Sequence, residues 1–190
     1  MDINPIRTAL VAIDLQKGIV ANSTAPHASA DVVACSRAIA DALRAAGGIV
    51  VLVTVDFHKG FADALAQPAD ISSPRSPDGP PADFAEIVPD LGAHDGDLRI
   101  VKRQWGAFYG TELDLQMRRR GIDTIILTGI ATHMGVESTA RSAWEHGYRL
   151  IFAEDAMASF TDMLHAFPIA HVFPRLGHVR KANAIVAAIT

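Results

Sequence analysis

The stretch Leu127-Thr128-Gly129-Ile130-Ala131-Thr132-His133-Met134-Gly135-Val136-Glu137-Ser138-Thr139-Ala140-Arg141-Ser142-Ala143-Trp144 decides the fold. The apolar run Thr124–Leu127 that leads into it reads as a buried parallel strand. Gly129 follows, and then a helical pattern begins, with Met134, Ala140, Ala143 and Trp144 available for one apolar face. A strand that turns tightly into a helix aims backbone N–H groups above the sheet edge, where they attract negative charge. The Ala131–Gly135 turn is therefore the natural place to hold a carboxylate or a developing oxyanion.

The same alternation recurs on both sides of this unit. Ala9–Ile13 is a short buried strand with Asp14 at its carboxyl end. Ala28–Ala46 is a helix, with Val32, Cys35, Ile39 and Leu43 three or four apart, stopped by Gly47-Gly48. Ile49–Val55 is a second strand, which makes a parallel unit with a right-handed crossover. Leu98–Val101 is a third, ending at Lys102, with Trp105, Gly106 and Phe108 in the turn beyond it. A helix from Leu113 closes at Gly121, and its last-turn Arg118-Arg119-Arg120 complements the helix dipole instead of forming a nucleic-acid patch. Tyr148–Ala153 is a strand ending near Glu154-Asp155, Asp162–Phe173 a helix broken at Pro168, His178–Arg180 a last strand and Ala182–Ile189 a closing helix. Strands alternating with helices predict an α/β sandwich of three layers around a mainly parallel, Rossmann-like sheet. Residues 56–96 are irregular and hold Pro68, Pro74, Pro77, Pro80, Pro81 and Pro89, the pattern of a functional loop or lid.

Composition narrows the function classes. The 190 residues suit a single domain spanning 1–190, and 49% hydrophobic with 20% charged residues is an ordinary globular balance. A net charge of −4 points to neither nucleic acid nor an acidic membrane surface. One cysteine, Cys35, excludes an internal disulfide and a Cys-rich metal site. With no leader pattern and no apolar run of membrane-spanning length, the expected location is the cytoplasm. Ligands of open parallel sheets bind beyond the carboxyl ends of the strands where strand order reverses. Asp14, Lys102 and the Ala131–Gly135 turn all fall at such ends, and their shared position makes them the candidate site.

Ile13-Asp14-Leu15-Gln16, then Lys102 with Ala107-Phe108 and Thr111–Leu113, then Gly129–Thr132 and Val136–Ala140 resemble the isochorismatase-like hydrolase superfamily, in the family's order, from about Thr8 to Ala153. Lys102–Thr111 is similar to a bacterial subgroup of it. The resemblance implies a six-stranded parallel sheet, a homodimer or homotetramer, a small-molecule substrate and no cofactor. It implies a catalytic trio of Asp, Lys and Cys: Asp14 and Lys102 match, but the nucleophilic Cys would fall at Gly135. Cys35 is mid-helix on an apolar face and reads as a small buried hydrophobe. Glycine cannot attack a carbonyl, so covalent amide hydrolysis is not expected. True isochorismatases look similar here, with a His two residues before the Gly, as in His133-Met134-Gly135. For them the resemblance implies direct hydrolysis of a vinyl ether with Asp14 as proton donor. Burial would raise the pKa of Asp14 and Lys102 would lower it; the sequence leaves the balance open.

The resemblance also implies a cis peptide at Ile130–Ala131 and an anion hole from the Ala131 and Gly135 N–H groups. Ala131, His133, Gln16, Trp105 and Phe108 are the expected substrate contacts. Asp56-Phe57-His58 resembles the metal ligands of nicotinamidases, but no further histidines complete that set in Lys59–Asp90, so no metal is expected. The expected function is hydrolysis of a small carboxylated metabolite without a thiol. The alternative is a non-catalytic member that keeps the pocket for ligand binding or assembly.

Overall fold

The computed structural model describes residues 3–71 and 75–189. Among the described residues, six strands form one sheet: β1 (Thr8–Ile13), β2 (Ile49–Val55), β3 (Leu98–Lys102), β4 (Thr124–Ile130), β5 (Arg149–Ala158) and β6 (Gly177–Arg180). Among the same residues, seven helices accompany it: α1 (Lys17–Val20), α2 (Ser29–Ala45), α3 (Leu113–Arg119), α4 (Glu137–Glu145), α5 (Asp162–Phe167), α6 (Phe173–Leu176) and α7 (Ala182–Ala188). The spatial order is β3-β2-β1-β4-β5-β6 and every pairing is parallel. Order reverses between β1 and β4, so the crevice beyond Ile13 and Gly129 is the position such sheets reserve for a ligand.

Two cores explain the near-continuous apolar strands. Successive residues of β1 face opposite sides. Ala9, Val11 and Ile13 join Leu113, Met117, Ala140, Ala143 and Phe173 from α3, α4 and α6. Leu10 and Ala12 join Val32, Ile39, Leu43 and Ile185 from α2 and α7. This is the expected three-layer sandwich. Helix α2 carries Asp31 in its first turn and Arg44 in its last, both favourable to its dipole, and Gly47 at φ +82° ends it.

Three expectations need correction. Trp144 is 54% exposed, because Ala140 and Ala143 of α4, with Val136 just before it, already fill the face that meets the sheet. Strand β5 runs through Glu154-Asp155 to Ala158 instead of stopping before them; a register shift between Leu127 and Gly129 lets Met157 and Ala158 rejoin β4. Strand β4 likewise continues to Ile130. The 56–96 segment has short 3₁₀ turns at Lys59–Phe61 and Pro89–Leu91. Its 84–88 part is tied to the chain just after Asp14: Lys17 N donates to Glu86 O, Gly18 N to Phe84 O and Val88 N to Leu15 O. That part is a fixed wall against the segment that follows β1. Pro74 lies outside the described residues.

Candidate active site

Asp14 is the first residue beyond β1 and takes φ +55°, a left-handed conformation that Asp tolerates better than most side chains. Its N–H donates to Val53 O at 2.9 Å, so the turn is fastened to β2. Such a conformation in a non-glycine residue costs about 1 kcal/mol or more and tends to mark functional positions. Lys102 is the last residue of β3, beyond the intervening β2. Two strand spacings, about 10 Å, separate its backbone from that of Asp14, a gap that needs a long side chain. The ammonium Nζ donates to Asp14 Oδ2 at 2.8 Å and to Gln104 O at 3.1 Å, with Lys102 2% and Asp14 5% exposed. The two residues predicted from separate strand ends thus form one buried ion pair.

The pair is asymmetric. Asp14 Oδ1 is buried and has no hydrogen-bond partner, while Oδ2 holds the lysine. Burial penalises the carboxylate and pushes the Asp14 pKa up from 3.8 to about 6; the charge and hydrogen bond of Lys102 pull it back only part of the way. The balance that sequence left open therefore falls to burial.

Beyond β4 the chain passes through a cis Ile130–Ala131 peptide and a π-helical turn, Thr132–Val136, into α4. Ala131 O accepts from Met134 N and Val136 N, and Thr139 Oγ1 donates to Gly135 O at 2.7 Å while accepting from Ala107 N at 3.1 Å. Thr139 so clamps this turn to the segment after β3. Gly129, at φ +125°, lies so close to β1 that a Cβ would fall 2.1 Å from Ile13 O; only glycine fits. Gly135 is different. A Cβ there would stand 3.1 Å from Asp14 Oδ2, 2.9 Å from Ile13 Cγ2 and 3.5 Å from Trp105 O. Position 135 therefore faces the carboxylate, and its missing side chain leaves that approach open.

The other expected contacts divide. Ala131 is buried in the turn and the Trp105 carbonyl lies beside position 135, while the Trp105 residue as a whole is 58% exposed. His133 points toward the β5 side, with Nδ1 2.5 Å from Ser159 Oγ and its ring edge-on to Phe160; burial lowers its pKa. Gln16 is a correction: it is fully buried, its Nε2 donates to Val55 O and Phe84 O, and its Oε1 accepts from Val55 N. It joins β1, β2 and the 84–88 wall and has little left for a substrate. Phe108 is also a correction. It stacks on His146 at 5.0 Å, just past the last turn of α4. Its aromatic character signalled core, as Met117 and Tyr148 around it confirm.

The only cysteine, Cys35, lies in α2 on the other core, its thiol pKa raised by burial and then by Asp155 and Asp31. Asp56 accepts from Phe57 N, and His58 lies 3.4 Å from Asp63. Among the described residues, neither Asp56 nor His58 belongs to a group of three ligating side chains. A groove of about 560 Å³ lined by Thr54, Asp56, Glu86, Arg99 and Val101 contains neither Asp14 nor Lys102 and is separate from the pair.

Residues 8–184 match the family model described as the isochorismatase domain. This chain belongs to the isochorismatase family. It is 47% identical over 197 residues to the isochorismatase family protein YecD of Escherichia coli O157:H7, covering all of both chains. It is 49% identical over 183 residues to the isochorismatase family protein YwoC of Bacillus subtilis, covering 96% of this chain and 94% of that one. Among solved structures it is similar to an isochorismatase family protein of Burkholderia thailandensis, at 42% identity and a TM-score of 0.93, covering 99% and 97% of the two chains. The family is one of hydrolases, which gives this isochorismatase-family chain its class of activity.

Proposed function

We propose that this hydrolase cleaves a small carboxylated metabolite at a vinyl ether or similar bond, with Asp14 as acid and without a covalent intermediate. The observation that carries the reading is the asymmetric Asp14 carboxyl. Lys102 engages Oδ2, Oδ1 is buried without a partner, and burial holds the pKa near 6, so a protonated fraction persists close to neutrality. Asp14 gives its proton to the terminal carbon of the C=C–O unit, and the electron pair of the double bond forms the new C–H bond. The oxocarbenium ion that results takes up water, and the water returns one proton to Asp14. The hemiketal then collapses to a ketone and an alcohol. Hydrogens, oxygens and charge balance, and no side chain forms a bond to carbon.

The remaining residues support this chemistry. Glycine at 135 clears the approach to Asp14 and removes the competing nucleophile. Two of the three Lys102 N–H groups are engaged, and the third serves a substrate oxygen. The N–H groups of Ala131 and Gly135 serve as the anion hole for the substrate carboxylate. The exposed apolar side chains Met163 and Phe167 on α5, with Phe160 beside them, favour a homodimer or homotetramer. The test is a hydrolysis panel of carboxylated vinyl ethers, isochorismate among them, together with small amides, run on wild type and Asp14→Asn. Vinyl-ether turnover that Asp14→Asn abolishes supports the proposal. Turnover of amides alone, or vinyl-ether turnover equal in the two proteins, overturns it.

A further inference from the structure

Behind the Ala131–Gly135 turn, three side chains far apart in the sequence come together. His27 precedes α2, Glu154 lies in β5, and His165 is in α5. One ligating atom from each lies within 4.8 Å of the other two. His27 Nε2 is 3.5 Å from Glu154 Oε2, and the two imidazoles meet edge to face at 5.6 Å. Lys181 holds the other carboxylate oxygen, Glu154 Oε1. His165 is buried, and its Nδ1 lies 2.9 Å from Thr132 Oγ1, leaving Nε2 as the nitrogen a metal can take.

We propose that His27, Glu154 and His165 form a binding site for one divalent transition-metal ion of the zinc class, separate from the Asp14–Lys102 pair. Two imidazoles and one carboxylate are a donor set zinc uses, and the mixed nitrogen and oxygen chemistry selects against calcium and magnesium. Ligands 2.0–2.1 Å from a tetrahedral ion stand about 3.4 Å apart, the separation His27 and Glu154 already have. With all three ligating atoms within 4.8 Å of one another, closing them onto the ion needs a movement of at most about 1.4 Å. The outer contacts are those a metal site requires: Thr132 fixes the His165 ring and Lys181 fixes Glu154. Bound there, the ion ties the segment before α2, strand β5 and helix α5 into one unit. Through His165 and Thr132 it also braces the turn that faces Asp14. The set was invisible in sequence because its members are 127 and 11 residues apart and follow no ligand spacing.

The test is titration calorimetry of the full chain, stripped with a chelator and then freed of it, with zinc chloride, repeated with cobalt chloride followed by absorption. One ion per chain is expected, with the visible bands of low-coordinate cobalt. Thermal unfolding should shift upward with free zinc, as it must for an ion that binds only the folded state. His27→Ala, at a half-exposed position that does not threaten the fold, and Glu154→Gln should each weaken binding at least about tenfold and remove the shift. His58→Ala should change neither. Absence of stoichiometric binding, or binding that survives His27→Ala and Glu154→Gln, overturns the proposal. So does binding lost in His58→Ala.

Discussion

Replacing Asp14 by Asn should change how stability depends on pH, and the size of the effect follows from the ion pair. The Asp14 pKa lies at about 6 in the folded chain against an ordinary 3.8. Below 3.8 the carboxyl is protonated whether the chain is folded or not, and the group favours neither state. Between the two values the native state binds more protons than the unfolded state, so rising pH costs the native state stability. At about 1.36 kcal/mol per pKa unit the loss reaches about 3 kcal/mol and is complete by about pH 7. Asn cannot ionise and has no such loss. Urea unfolding of both proteins, followed from pH 4 to 7.5, isolates the group, because the other titrations are common to both and cancel in the difference. Asn also changes the packing and hydrogen bonds around Lys102, an offset that does not depend on Asp14 ionising, so the difference must be read as a slope. The variant should gain about 2 kcal/mol relative to wild type as pH rises from 4 to 7, the rest of the loss falling below pH 4. Parallel curves, or a wild type that gains on the variant, would refute the view that burial dominates the pair.

Lys102→Met removes the one cation that holds the carboxylate, so the Asp14 pKa should rise further and the variant should be destabilised more at pH 8 than at pH 5, by about 3 kcal/mol or more at the higher pH; urea unfolding at the two pH values checks this. Cys35→Ser should leave hydrolysis within a few-fold, since the thiol is in α2 away from the pair; steady-state kinetics on the best substrate of the panel measures it. Gly135→Cys should cost about 1–3 kcal/mol because its Cβ presses on Ile13. Its thiol, beside Asp14 and Lys102, should react with iodoacetamide faster than Cys35 does in the parent, and Lys102→Ala should slow it. A new thiol with the reactivity of free cysteine would mean position 135 does not face the charged pair.

Much of the fold was legible because strands buried on both faces must be apolar throughout, which is how Ala9–Ile13 and Ile49–Val55 announce themselves. Glu154-Asp155 hid the second half of β5, since charged residues inside a strand read as its end and the shifted register has no local signal. Asp14, Lys102 and the turn were legible as strand ends, but their meeting across β2 depended on strand order, which the family motifs supplied and periodicity could not. Gln16 and Phe108 misled for one reason. Polar and aromatic residues beside a site serve its scaffold as readily as its ligand, and only their partners tell the two apart. The His27–Glu154–His165 cluster needed the tertiary structure outright.

A protonated Asp14, and no thiol, is proposed to drive hydrolysis. The most direct test is the pH dependence of kcat/KM, on the best substrate of the panel, for wild-type protein whose Cys35 has been fully alkylated. Activity should stay within a few-fold of the untreated enzyme and fall about tenfold per pH unit above about pH 6. Activity lost on alkylation, or rising through that same range as a carboxylate base would require, would contradict it.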